Sequence, residues 1–217
     1  MKWVVCLVGM IATLSACSSP SPSPQSISDA ALGRSAPRES ATPTFRGMVP
    51  ARPYALPAAT FNDTSGASYR LPSSLASPVT LVFFGYSHCP NVCGTVLADL
   101  AQALRRLDKA DRAQVRVLFL TTDPARDTPR AIRAYLDRFD TSFVGLTGTL
   151  ASLERVATAV GVPLEGTKRL PGGGYEVGHG AQIVGFDARQ RGRVVWLEGT
   201  PIGDLRADLK TLVEVAQ

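Results

Sequence analysis

The sequence is poor in the residues that bind soft metal ions or form disulfides. Its 217 residues include four cysteines, two histidines and three methionines. Cys6 and Cys17 lie in or directly after an N-terminal apolar segment, so Cys89 and Cys93 are left for a folded domain. Because these two are four residues apart, a disulfide between them would constrain little of the unfolded chain. We expect their role to be chemical rather than structural.

The N-terminus has the features of an export signal. Lys2 precedes an apolar run over residues 3–14, which is too short to cross a bilayer comfortably and is typical of a signal peptide. Leu-Ser-Ala-Cys at residues 14–17 resembles the lipobox of bacterial lipoproteins. We expect residues 1–16 to be a lipoprotein signal peptide and Cys17 to be lipidated. The protein would then be exported to the cell envelope and anchored on the extracytoplasmic face of a membrane; an ordinary secretory signal with a spare Cys17 thiol is the alternative.

The rest of the chain divides into a tether and one domain. Residues 17–47 are rich in Ser, Pro and Ala and contain almost no aromatic or β-branched residues, so we expect a flexible tether. Residues 48–217 are long enough for one domain with a proper core. The net charge is +5, but the arginines are scattered among acids with no long basic run. Nucleic acid is therefore not expected as a partner.

The domain alternates between strand and helix patterns. Two continuous apolar runs predict strands buried on both faces, and apolar residues at three- and four-residue spacing after each run predict amphipathic helices. We expect Thr128 to cap the second helix, with Pro129 in its first turn. This order predicts an α/β, thioredoxin-like fold with a central mixed sheet flanked by helices. The expected elements are strands at 79–86 and 115–122, a helix over 149–160 ending at Gly161, two strands within 181–199 and a closing helix over 203–216.

Cys89 and Cys93 lie where the first predicted strand gives way to a helix. With Pro90 after it, Cys89 is expected at the helix start, where free amides and the helix dipole stabilise a thiolate. Helical side chains four residues apart have Cβ atoms about 5–6 Å apart, whereas a relaxed disulfide prefers about 3.5–4.5 Å. The pair can therefore share a metal ion, or form a strained, redox-active disulfide.

A metal held by two thiolates calls for a third ligand, for which histidine is the available residue type. His88 adjoins Cys89, but neighbouring side chains diverge, so ligation together with both cysteines would be awkward. A surface residue that closes the strand is the other interpretation of His88. His179 lies in a glycine-rich segment that we expect to be a mobile loop, able to bring the imidazole over the helix start. An exposed loop side chain is the alternative.

Three segments together resemble the Sco (SenC) family of thioredoxin-like copper proteins. They are FGYSHCPNVC (84–93), TTDPARDTP (121–129) and YEVGHGAQIVGFDARQRG (175–192), and the similarity spans about residues 48–216. The resemblance implies that Cys89, Cys93 and His179 bind copper, as Cu(I) and/or Cu(II). It also implies a chaperone that delivers copper to the copper A centre of cytochrome c oxidase, with the copper-bearing oxidase subunit or another copper chaperone as partner.

The chain departs from the family pattern near these ligands. Asn91 stands where the family usually has Asp, Gly94 where Pro is common, and Gly-His-Gly at 178–180 replaces the more usual Asp-His-Ser. No ligand is lost. The added glycines favour a looser loop around His179, and the loss of acidic neighbours could lower the affinity for Cu(II).

The aspartates of DPARDTP have two interpretations. Asp123 could open a turn, with Asp127 or Thr128 capping the following helix. Alternatively, Asp123 and Asp127 lie just outside the ligands, where Asp123 would tune thiol protonation or contact a partner.

A thiol–disulfide oxidoreductase is the alternative function, with Cys89 and Cys93 as a catalytic dithiol that keeps the cysteines of the oxidase subunit reduced. Dedicated dithiols normally have C-x-x-C spacing, and here the spacing is one residue longer. Thioredoxins also place a cis-proline opposite the dithiol, whereas residues 172–200 contain no proline. A structural zinc ion would have an open tetrahedron with three ligands, and nothing marks Cys89 as a peroxide-reducing thiol. The pattern favours a metal carrier.

Overall fold

The computed structural model describes residues 43–216, in which the strands and helices follow the predicted alternation. The predicted signal peptide, Cys17 and residues 17–42 of the predicted tether lie outside the described residues. The elements are β1 (Tyr54–Ala55), β2 (Ala59–Asp63), β3 (Ser68–Leu71), β4 (Val79–Gly85), α1 (Val92–Arg105), α2 (Lys109–Ala113), β5 (Val115–Thr121), α3 (Pro129–Leu136), β6 (Val144–Thr147), α4 (Leu150–Ala159), β7 (Leu164–Arg169), β8 (Tyr175–His179), β9 (Ile183–Phe186), β10 (Arg191–Trp196) and α5 (Ile202–Val215).

Eight of the strands form one mixed sheet, in the order β1-β10-β9-β4-β5-β6-β2-β3. β5 is parallel to both β4 and β6, whereas β9 runs antiparallel to β4. Every residue of β4 is buried, as expected for a strand covered on both faces. The prediction of a mixed sheet flanked by helices is confirmed.

Alternate residues of the central strands feed two hydrophobic cores. Phe83 of β4 and Phe119 of β5 face one core, which includes the apolar sides of α1, α3 and α5. Phe84 and Leu118 face the other core, which α4 covers. This two-residue alternation explains why both strands read as continuous apolar runs.

The helix boundaries follow the signals in the sequence. The Thr128 hydroxyl accepts a hydrogen bond from the Ala131 amide at 3.1 Å, with Pro129 as the first helical residue, so this predicted cap is confirmed. Gly161, after α4, has a φ of +70°, a conformation that glycine adopts without steric cost. Among the described residues, no helix is both long enough and apolar enough to span a bilayer.

The segment before β9 differs from the prediction. Residues 175–179 are strand β8, which pairs with β7 in a separate two-stranded antiparallel sheet. The prediction of a loop around His179 was therefore wrong. The turn between the two strands contains Gly173 and Gly174, both with positive φ, so the glycines serve the tight reversal of a hairpin.

The packed structure begins before residue 48. Phe45 is buried in the first core. The backbone amides of Arg46 and Gly47 each donate to the Asp208 carboxylate at 2.8 Å, and Met48 forms a bridge with Val195 of β10. These contacts extend the domain by at least three residues into the segment predicted to be tether.

Candidate metal centre

The two cysteines lie where β4 gives way to α1, with Cys89 in the connection and Cys93 in the helix. The Cys89 amide donates to the Tyr86 carbonyl at 3.1 Å, and α1 begins only at Val92. Cys89 therefore precedes the helix by three residues instead of starting it, while Cys93 lies in the first turn. Cys93 is fully buried and Cys89 is partly exposed, and neither forms a disulfide.

The Cys89 sulfur takes the place of a helix cap. The Cys93 amide donates to Cys89 Sγ at 3.4 Å, whereas Asn91, at the capping position, has no side-chain cap hydrogen bond among the described residues. Amide groups at a helix start are otherwise unpaired and favour a negative acceptor. The hydrogen bond from the Cys93 amide therefore stabilises a thiolate at Cys89, as predicted.

His179 reaches the cysteines from the end of β8. Its Nε2 is 3.4 Å from Cys93 Sγ, although the two residues are 86 positions apart. Its Nδ1 is 3.0 Å from the Gly180 carbonyl oxygen. Because a carbonyl can only accept, Nδ1 carries the proton, and in a neutral imidazole this leaves the Nε2 lone pair free for a metal. The ring of Tyr86 packs edge-on against the imidazole, with centroids 5.8 Å apart.

The three side chains form a group that fits a soft metal ion. Cys89 Sγ, Cys93 Sγ and a ring nitrogen of His179 lie within 4.8 Å of one another. Three donors placed about 2.3 Å from one ion in a plane would lie about 4 Å apart, so small movements bring them to ligand distance. Two sulfurs and one imidazole suit Cu(I) or Zn²⁺ better than a hard cation. His88 is not part of this group.

The two thiols have opposite acidities. The hydrogen bond from Cys93 lowers the pKa of Cys89 to about 4, and backbone amides of Cys93 and Asn91 act in the same direction. The pKa of Cys93 is raised, first because its proton is held by Cys89 and then because it is buried. At neutral pH the pair therefore consists of an accessible thiolate at Cys89 and a buried thiol at Cys93.

Gly85, at the end of β4, makes room for the buried sulfur. A Cβ atom at this position would lie 3.2 Å from Cys93 Sγ and 2.9 Å from Cε2 of Phe119. Only a residue without a side chain allows the first turn of α1 to pack this closely on the strand. Gly85 and Tyr86 contribute to the site but were not predicted from the sequence as site residues. Their place within the FGYSHCPNVC segment, four and three residues before Cys89, is the signal that could have identified them.

Asp127 supports the cysteine connection. Its buried carboxylate accepts hydrogen bonds from the Ser87 amide at 3.0 Å, the Ser87 hydroxyl at 2.5 Å and the Thr121 hydroxyl at 2.6 Å. Capping of α3 thus falls to Thr128, not to Asp127. His88 is half-exposed and its Nδ1 lies 3.0 Å from the Ser87 hydroxyl.

Asp123 contacts the histidine hairpin instead of the thiols. Its carboxylate accepts from the Tyr175 hydroxyl at 2.9 Å and from Nε of Arg126. Neither Asp123 nor Asp127 belongs to the three-ligand group within residues 43–216. Asp127 acts on the cysteine segment through Ser87, and Asp123 acts on the hairpin through Tyr175.

The site opens into a cleft of about 490 Å³ between the start of α1 and the hairpin. Cys89 and His179 line this cleft, together with Tyr86 and the charged residues Glu165, Lys168 and Glu176. A partner can therefore approach Cys89 and His179 from solvent, while Cys93 stays behind them.

The chain is similar to Sco proteins in sequence and in structure. The SCO1/SenC family model matches residues 60–214. The human mitochondrial SCO1 homolog is 39% identical over 80 residues, which are 36% of this chain and 27% of that protein. Among the most similar curated relatives, the chain spans between 23% and 56% of the relative's length.

Solved structures give wider coverage. Bradyrhizobium japonicum ScoI with copper bound is 32% identical, has a TM-score of 0.65, and covers 73% of this chain and 99% of its own. Apo Sco1 from Thermus thermophilus is 30% identical, with a TM-score of 0.68 and coverage of 79% and 99%. Since the family model spans more than half of the sequence and ScoI aligns over nearly three quarters of it, the chain belongs to the SCO1/SenC family.

Proposed function

We propose that this protein is a copper chaperone that carries the ion on Cys89, Cys93 and His179. The observation that supports this most directly is the convergence of the three donor atoms within 4.8 Å. A trigonal set of two thiolates and one imidazole suits Cu(I), and an added ligand from the open cleft would allow Cu(II). The structure of a relative, B. japonicum ScoI, contains bound copper.

Delivery would proceed by ligand exchange. A thiolate or imidazole of the acceptor enters through the cleft and bonds to copper as His179 withdraws, after which Cys89 and then the buried Cys93 are replaced. We propose the copper A centre of cytochrome c oxidase as the destination, on the basis of the family resemblance. The Leu-Ser-Ala-Cys sequence at residues 14–17 supports lipidation of Cys17 and anchoring on the extracytoplasmic face of a membrane.

An anaerobic titration of the reduced full-length protein with Cu(I), against a competing chelator, tests copper binding. We expect one ion per chain, with affinity falling at least about a hundredfold in Cys89→Ser and at least about tenfold in His179→Ala, because each variant removes a direct ligand. His88→Ala is the matched control and should bind like the wild type. If the wild type bound copper no better than Cys89→Ser, the proposal would be wrong.

Thiol–disulfide exchange is the second candidate, and the opposite acidities of the two thiols favour it. The Cys89 thiolate would attack a partner disulfide, and one partner sulfur would leave as a thiol after taking up a proton. Cys93 would then lose its proton and attack Cys89 Sγ, which forms the intramolecular disulfide and releases the second, reduced partner thiol. The test uses a disulfide-bonded peptide of the oxidase subunit as substrate. The wild type should reduce the peptide, and Cys93→Ala should accumulate the mixed disulfide at Cys89. If neither the reduced peptide nor the mixed disulfide formed, this function would be excluded.

A further inference from the structure

The hairpin that carries His179 has few attachments to the main sheet. β7 and β8 pair with each other and form no ladder with the eight-stranded sheet. Five of the six residues of β7 are exposed, and Val177 is the buried residue of β8. Apart from the three-residue link from His179 to β9, the position of the hairpin over the cysteines therefore depends on its side-chain contacts.

One cluster supplies the contact at the start of β8. The Tyr175 hydroxyl donates to Asp123 at 2.9 Å, and Arg126 donates from Nε to the other oxygen of the same carboxylate. The Arg126 guanidinium also stacks on the Tyr175 ring, 3.7 Å from its centroid. Asp123 and Arg126 belong to the loop after β5, so the cluster joins the hairpin to the carboxyl end of the central sheet.

The Tyr86 ring contacts both the Arg126 guanidinium and the His179 imidazole. Arg126 lies 5.7 Å from the centroid of the Tyr86 ring, and that ring packs edge-on against His179. The Val177 amide donates to the Tyr86 hydroxyl at 3.3 Å. Arg126 Nη2 is buried without a hydrogen-bond partner among the described residues, so ring stacking takes the place of a second hydrogen bond at this end of the side chain.

We propose that Asp123, Arg126 and Tyr175 form a clamp that positions His179 for copper. The clamp residues are positioning residues, since none of them belongs to the ligand group. With Asp127 bound to Ser87, the loop after β5 then holds both halves of the metal centre: Asp127 fixes the cysteine connection, and the clamp fixes the histidine hairpin. The inference deepens the proposed copper function and rests on it for its effect on affinity.

Amide hydrogen exchange of the full-length apo protein tests the clamp without copper. In Arg126→Met, which removes the charge and the planar group, we expect at least about fivefold faster exchange at the amides of β8, because opening of a locally anchored segment sets that rate. Tyr175→Phe keeps the ring but loses the hydroxyl and should give a smaller increase. Arg116→Met, at the opposite end of β5, and Tyr69→Phe are matched controls and should leave β8 unchanged. Equal exchange in wild type and Arg126→Met would overturn the clamp.

Copper affinity then tests whether the clamp acts through His179. Groups that orient a metal ligand typically change affinity about 10–100-fold when removed, so we expect about a tenfold loss of Cu(I) affinity in Arg126→Met. In a His179→Ala background the same substitution should change affinity less than about twofold, since the ligand it positions is gone. Additive losses in the double variant would overturn the proposal. If the wild type failed to bind copper, the proposed function would fail, and the exchange experiment would still decide whether the clamp exists.

Discussion

The two halves of the candidate metal centre are built in different ways. The cysteines follow β4, whose seven residues are all buried. Cys89 precedes α1 by three residues and Cys93 lies in its first turn, and α1 buries seven side chains. His179 ends a two-stranded hairpin that is largely exposed and attached by a few polar and aromatic contacts. The cysteine half of the site is thus part of the hydrophobic core, whereas the histidine half packs on the surface of that core.

This difference predicts an order of events for the proposed copper transfer. Segments with few buried apolar contacts open at a lower free energy than core strands and helices. His179 is therefore the ligand expected to leave first when an acceptor enters the cleft. The buried Cys93 is expected to leave last.

The core around the cysteines and the histidine hairpin should differ most in how much a substitution lowers the free energy of unfolding. Phe119 is fully buried and packs beside Phe83 and Tyr135, so Phe119→Ala should lower the free energy of unfolding by about 3–5 kcal/mol. His179→Ala should lower it by less than about 0.5 kcal/mol, as substitutions outside the core usually do. Urea denaturation of the apo protein measures both. Similar losses in the two variants would show that the hairpin is as integral to the fold as the sheet.

A pair of glycine substitutions sharpens the comparison within the cysteine half. Gly85→Ala forces a Cβ to 2.9 Å from Phe119 and 3.2 Å from Cys93 Sγ, and we expect a loss of about 1–3 kcal/mol in unfolding free energy, with weaker Cu(I) binding. Gly94→Ala places its Cβ no closer than 3.9 Å to a neighbour and should stabilise α1 by up to about 1 kcal/mol. Thermal unfolding and chelator competition would measure these effects. A neutral Gly85→Ala would contradict tight packing at this junction.

The smallest expected effect is the pH dependence of alkylation at the partly exposed Cys89 of the wild type. Because the pKa of Cys89 is lowered to about 4, the thiolate persists above about pH 5, and its alkylation rate should change less than about twofold between pH 6 and 8. The reactive form is lost as pH falls through 4. Cys93→Ala removes the main hydrogen bond to the thiolate, so the pKa rises and the rate should increase by up to about tenfold per pH unit.

Iodoacetamide labelling, read by mass spectrometry on the peptide that contains residue 89, gives this profile separately from the other cysteines of the chain. His88→Ala serves as the control and should keep the flat wild-type profile. A steep rise between pH 6 and 8 in the wild type would show that Cys89 is an ordinary thiol.

Strong local patterns allowed the central elements to be predicted within a residue or two. The run predicted as a strand at 79–86 is Val79–Gly85, and the run at 115–122 is Val115–Thr121. Thr128 and Pro129 marked the start of α3 because capping is a local interaction between adjacent residues. The hairpin β7–β8 was missed because its strands are short, polar and rich in glycine, so no hydrophobic alternation reveals them.

The sequence by itself singled out the candidate donor residues, the spacing of the two cysteines and their place at the junction of a buried strand and a helix, because propensity and hydrophobic period act over a few residues. Only the tertiary structure decided that His179 comes within 3.4 Å of Cys93 across 86 positions. It also decided that Asp127 binds Ser87 and that Tyr175 meets Asp123. Contacts of this kind depend on strand order and side-chain packing, which no local pattern encodes.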